Sequence, residues 1–167
     1  MNKNIEVIVN DDRWIDCLDN VEAYARQVFD KTIDYMSEID LDFKKPIVVN
    51  LALSNDVEVQ KLNFEFRGKD KPTNVLSFAN IDSDDFEDIC ESEDEIELGD
   101  IVIALETTQG EAKEKGIDFK SHFAHLLVHG LLHLHGFDHQ DDDEAEEMEA
   151  IEVEILYDLN ISNPYEE

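Results

Sequence analysis

The chain has 167 residues, 42% of them hydrophobic, enough for one domain with a sizeable core. Its 43 acidic residues against 13 basic ones give a formal net charge of −30, which speaks against a broad phosphate-binding surface, because counterion release needs clustered cations. It has no run of 18 apolar residues and no leader-like start, so neither a membrane span nor a signal peptide is expected; Cys17 and Cys90 lack CxxC partners and read as reduced thiols of a cytoplasmic protein.

In chain order, Ile5 to Asn10 alternates as a strand. Arg13 to Ile39 has apolar residues at three- and four-residue steps and reads as one helix. Pro46 to Leu53 is a β-branched run suited to a strand buried on both faces. Ser54 or Asn55 can cap a helix through about Phe66, with Val57, Leu62 and Phe66 inward. The turn-rich RGKDKPTN follows, then a short strand from Val75 to Phe78. Lys61 to Lys71 is a local basic window, holding Lys61, Arg67, Lys69 and Lys71.

The stretch from Asp82 to Glu97 reads as a solvated acidic loop, since Ile81 to Asp100 holds eleven acids and no Lys or Arg. Leu98 to Leu105 is a strand, and Glu106 to Lys115 an exposed helix ended by Gly116. Ser121 caps an apolar helix to about His135, stopped by Gly136. A last helix starts at Asp141 to Asp143 and turns an acidic face to solvent; Gln140 to Glu167 holds twelve acids and no base. This order predicts a single α+β domain over residues 1–167, a small mixed sheet packed by helices, with the histidine-bearing helix buried.

Chemistry concentrates in that helix. At about 100° per residue, His122, His125, His129 and His133 project within one narrow sector. His129 and His133, one turn apart, have the spacing that presents two imidazoles to one ion. Gly136 allows a chain reversal that swings His139 toward the same ion, giving H-x-x-x-H-x-x-G-x-x-H. Buried imidazoles without a metal would each forfeit about 1–3 kcal/mol per lost partner. Three histidines and no cysteine favour a catalytic Zn2+ with one position left for water, although nickel, copper or iron also suit imidazole. His125 is a candidate to support a ligand or line the cleft; His122 and His135 read as bystanders. The spacing is similar to the metzincin signature HExxHxxGxxH, but Gly130 stands where that signature has its general-base glutamate.

The string from His129 to His139, HGLLHLHGFDH, resembles the signature of the YbeY-type endoribonucleases of bacterial rRNA maturation. The block FRGKDKPTNVLSF from Phe66 to Phe78 and the Leu98-Gly99-Asp100-Ile101 segment resemble further hallmarks of that family, in its order. The resemblance implies a single-strand-specific, metal-dependent endoribonuclease of the cytoplasm, acting in 16S rRNA 3′-end maturation and ribosome quality control. It implies zinc on His129, His133 and His139, and a functional Arg67 beside it, a fork-shaped donor suited to phosphate. Lys69 and Lys71 are then candidates to position phosphates, and Asp138 to orient a ligand histidine. The blander role for Arg67 is a loop salt bridge to Asp70. Because acidic stretches repel RNA away from a cleft, ribosomal subunits or assembly factors are expected to deliver the rRNA. The rival readings are a zincin-like metallopeptidase and a ribosome-assembly binding module with a structural zinc.

Overall fold

The computed structural model describes residues 3–41, 43–137 and 141–165. Among these residues four strands, β1 (Lys3–Val9), β2 (Ile47–Ser54), β3 (Val75–Ala79) and β4 (Ile96–Ala104), form one sheet in the order β1-β2-β4-β3. β1, β2 and β4 are parallel, and β3 runs antiparallel along β4. The two central strands carry the β-branched runs, as strands covered on both sides should. Val49, Leu51 and Leu53 sit opposite Gly99, Ile101 and Ile103, with the six residues buried.

Among the described residues seven α-helices complete the α+β fold: α1 (Arg13–Cys17), α2 (Val21–Glu38), α3 (Asp56–Arg67), α4 (Phe86–Ser92), α5 (Leu105–Lys115), α6 (Phe119–Leu134) and α7 (Asp142–Asp158). On one face, α2, α6 and α7 close the main core over Leu51, Ile101 and Ile103. The alternate residues Leu76, Val102 and Ala104 point the other way and meet Val59 of α3 in a smaller cluster. α6 is buried because it is apolar nearly all round: Leu127, Val128, Leu131 and Leu132 are inaccessible to solvent. Glycine at position 130 lets it approach the sheet without pushing side chains aside. A Cβ there would lie 3.1 Å from both Ile101 Cδ1 and Ser77 Oγ.

Several local expectations are corrected. The helix expected from Arg13 to Ile39 breaks into α1 and α2, because Leu18 is extended and Asn20 left-handed (φ 50°), a conformation a short polar side chain tolerates. α3 turns Val59 and Asn63 inward, whereas Val57 and Phe66 are exposed. Phe66 instead meets the Phe78 ring edge-on at 5.3 Å. The stretch from Asp82 to Glu97 is not a loop: it contains α4 and the start of β4. Phe86 anchors α4 by packing against Phe43, and Lys45 Nζ donates to the Cys90, Glu91 and Glu93 carbonyls at the end of that helix, leaving its acids outside. α6 starts at Phe119 after an extended Asp118, not at a Ser121 cap. The face of α7 is not uniformly solvated either, since Glu152 is fully buried.

Candidate functional site

α6 delivers His122, His125, His129 and His133 to a cleft of ≈ 770 Å³. His133 Nδ1 lies 2.8 Å from the Phe137 carbonyl, and His129 Nδ1 lies 3.1 Å from Glu152 Oε2. A carbonyl and a carboxylate only accept, so each ring must carry its proton on Nδ1. In a neutral ring Nε2 then keeps its lone pair, and the two Nε2 atoms stand 3.1 Å apart. A proton or a metal ion shared between the two nitrogens would satisfy both. Zinc–nitrogen bonds of ~2.0–2.1 Å set neighbouring nitrogens roughly 3.3 Å apart at a tetrahedral angle, so the pair fits such an ion. Among the described residues no three His, Cys, Asp or Glu side chains gather into a metal-holding group. The expected third ligand, His139, and the expected supporting residue, Asp138, lie outside the described residues.

Glu152 is the residue that sequence reasoning missed. Its Oε1 accepts from His125 Nε2 at 2.7 Å and from the Tyr165 hydroxyl at 2.6 Å, while Oε2 faces His129. Burial pushes its carboxyl up, but hydrogen bonds from His125, His129 and Tyr165 prevail and hold it at about 2. A signal was present: Met148, Ile151, Ile155 and Leu156 form the apolar stripe of α7, and Glu152 falls inside that stripe. His122, expected to be a bystander, is built into the cleft wall. It is 1% exposed, its Nε2 meets Glu111 Oε1 at 2.9 Å, and Asn74 Nδ2 donates to the same oxygen. Burial lowers the pKa of His122 against the opposing pull of Glu111. His135 turns away from the cleft to the Leu131 carbonyl and the Phe43 ring.

The cleft also draws cations from elsewhere in the chain. Arg67, Lys69, Lys71 and Lys115 line it, against a single carboxylate, Asp82, among the described residues. Arg67 donates from Nη2 to the Ser77 carbonyl at 2.8 Å and lies over the Phe78 ring. Its hydrogen bond does not go to Asp70, which accepts from Gln60 instead. The loop bearing Lys69 and Lys71 is pinned to α3: buried Asn63 donates to the Lys71 carbonyl, and Lys69 N donates to the Asn63 carbonyl. In a chain this acidic, a local cationic lining selects for anions at the cleft.

Fold and cleft define a class: an α+β protein whose buried, histidine-bearing helix opens onto a cation-lined cleft. The family model described as Endoribonuclease YbeY matches residues 9–160, and the chain belongs to that family. A Sphingopyxis alaskensis protein named Endoribonuclease YbeY is 54% identical over 122 residues, covering 72% of this chain and 73% of that protein. An Agrobacterium fabrum protein of the same name is 40% identical over 164 residues, covering 97% and 94%. The solution structure of a Thermotoga maritima protein shares the fold, with a TM-score of 0.57 at 20% identity, covering 98% of this chain and 99% of that one.

Proposed function

We propose that this chain is a zinc-dependent endoribonuclease that cuts single-stranded rRNA at the 3′ region of 16S rRNA, in maturation and late ribosome quality control in the cytoplasm. Membership of a family named for endoribonuclease activity supports the RNA chemistry. The observation that carries the reading is the Nε2 pair of His129 and His133, 3.1 Å apart beside a cleft lined by four cations. His129, His133 and, from its spacing, His139 would hold the ion. When bound, zinc supplies positive charge to polarise a phosphoryl oxygen and to acidify water near neutral pH.

The chain's own residues do the rest. A guanidinium has five N–H donors, so Arg67 can keep its bond to Ser77 and still meet a phosphate in bidentate fashion, stabilising charge that builds on the phosphorus oxygens. Lys69 and Lys71 hold neighbouring phosphates, and Lys115 adds a further cation to the lining. Tyr165 and Phe137, also in the lining, offer aromatic faces to unstacked bases, which suits a single strand. The net charge of −30 repels RNA elsewhere, so ribosomal subunits or assembly factors bring the substrate. A peptidase of zincin type uses a glutamate at the position that Gly130 occupies here, so this chain lacks that general base.

The test is cleavage of a 16S 3′-precursor RNA, single-stranded and annealed to a complementary strand, by zinc-loaded wild type and by His133→Ala. Cutting of the single strand by wild type alone supports the proposal. Equal cutting by both proteins would trace the activity to a contaminant.

A further inference from the structure

We propose that Glu152 is the positioning residue of the histidine site: through Oε2 it fixes the tautomer and aim of His129, and through Oε1 it ties that setting to His125 and Tyr165 on the cleft wall. The proposal rests on the metal-holding role given above to His129 and His133, and it concerns what sets the ring of the first.

Glu152 is 0% exposed, whereas Glu146, Glu147 and Glu154 of the same helix face solvent. A buried carboxylate is retained only with partners that compensate for lost hydration. Here there are three: His129 Nδ1 on one oxygen, and His125 Nε2 and the Tyr165 hydroxyl on the other. Because a carboxylate accepts and never donates, it obliges His129 to carry hydrogen on Nδ1, and in the neutral ring that puts the lone pair on Nε2, the atom that faces His133. A glutamine of equal size would not impose this, since its amide can donate to Nδ1 and favour the opposite tautomer. The other oxygen bonds Tyr165, so one carboxylate joins α6, α7 and the C-terminal segment at the cleft, and the Tyr165 ring stands edge-on to His125 at 5.4 Å. Carboxylates that accept from a ligand histidine raise its basicity and fix its orientation, and their loss costs about 10–100-fold in metal affinity.

The experiment uses the full chain. Zinc affinity is measured by competition with a chromogenic chelator for wild type, Glu152→Gln, Tyr165→Phe and His133→Ala. Nitrogen-15 spectra of the imidazoles report the His129 tautomer, and circular dichroism reports the fold. Glu152→Gln should stay folded, bind zinc about 10–100-fold more weakly and lose the Nδ1–H form of His129. Tyr165→Phe, which removes one hydrogen bond to Oε1 and keeps the bond of Oε2 to His129, should weaken zinc binding less than Glu152→Gln does. Wild-type zinc affinity and an unchanged tautomer in Glu152→Gln would overturn the proposal. If wild type and His133→Ala bind zinc alike, the metal-holding reading fails by itself, and the tautomer in metal-free protein still decides the role of Glu152. Should Glu152→Gln not fold, the wild-type spectrum is decisive, because an Nε2–H form of His129 excludes the proposed positioning.

Discussion

At the residue scale, Arg67 divides RNA chemistry from packing. It is exposed and held by one backbone carbonyl and one ring, so Arg67→Ala should lower the RNA cleavage rate about 10²–10³-fold while leaving the unfolding midpoint nearly unchanged. Arg67→Lys keeps the charge but not the fork, and should recover only part of the rate. A fall in stability with the rate intact would make Arg67 a structural residue of the loop. The meeting of His129 and His133 was legible in the sequence because an i, i+4 pair is a local property of a helix. Glu152 was not, because its partners lie 23 and 27 residues away, and the acid-rich surroundings of α7 masked one carboxylate lying in its apolar stripe. Lys115 escaped notice for a related reason: only the tertiary fold brings the end of α5 to the cleft.

At the element scale, strand and helix types followed from periodicity, and the departures occur where a single contact decides. α4 exists because Phe86 and Lys45 anchor an acidic segment that composition alone assigns to solvent. The close pairing of β3 and β4, on which the cleft wall depends, rests on Gly99. Its φ is +141°, and a Cβ there would fall 2.1 Å from the Phe78 carbonyl oxygen, a contact the backbone cannot relieve without shifting. Gly99→Ala should therefore destabilise the fold by about 3 kcal/mol or more, read as a lower denaturant midpoint. An unchanged midpoint would mean that the two strands can separate at no cost.

At the scale of the whole molecule, acid sensitivity follows from two buried imidazoles. His122 and His135 both have pKa values lowered from 6.5, chiefly by burial. Below pH 6.5 each binds fewer protons folded than unfolded, so the stability they contribute is complete above that pH and is lost as the pH falls through their lowered folded values. Thermal midpoints should be flat above about pH 6.5 and decline below it. His122→Gln should decline less steeply, retaining the share that belongs to His135. Parallel profiles for the two proteins would remove His122 from the account. Among the described residues no helix is long and apolar enough to cross a membrane, and the charge that sets the molecule's long-range field is gathered on exposed faces such as α4 and most of α7.

The proposed function requires that His129 and His133 share an ion needed for cutting RNA. Metal-stripped protein should be titrated with zinc while cleavage of single-stranded rRNA is followed. Activity should rise in proportion to bound zinc and saturate at one ion per chain, with His133→Ala inactive throughout. Full cleavage by the stripped protein, or wild-type cleavage by His133→Ala, would contradict it.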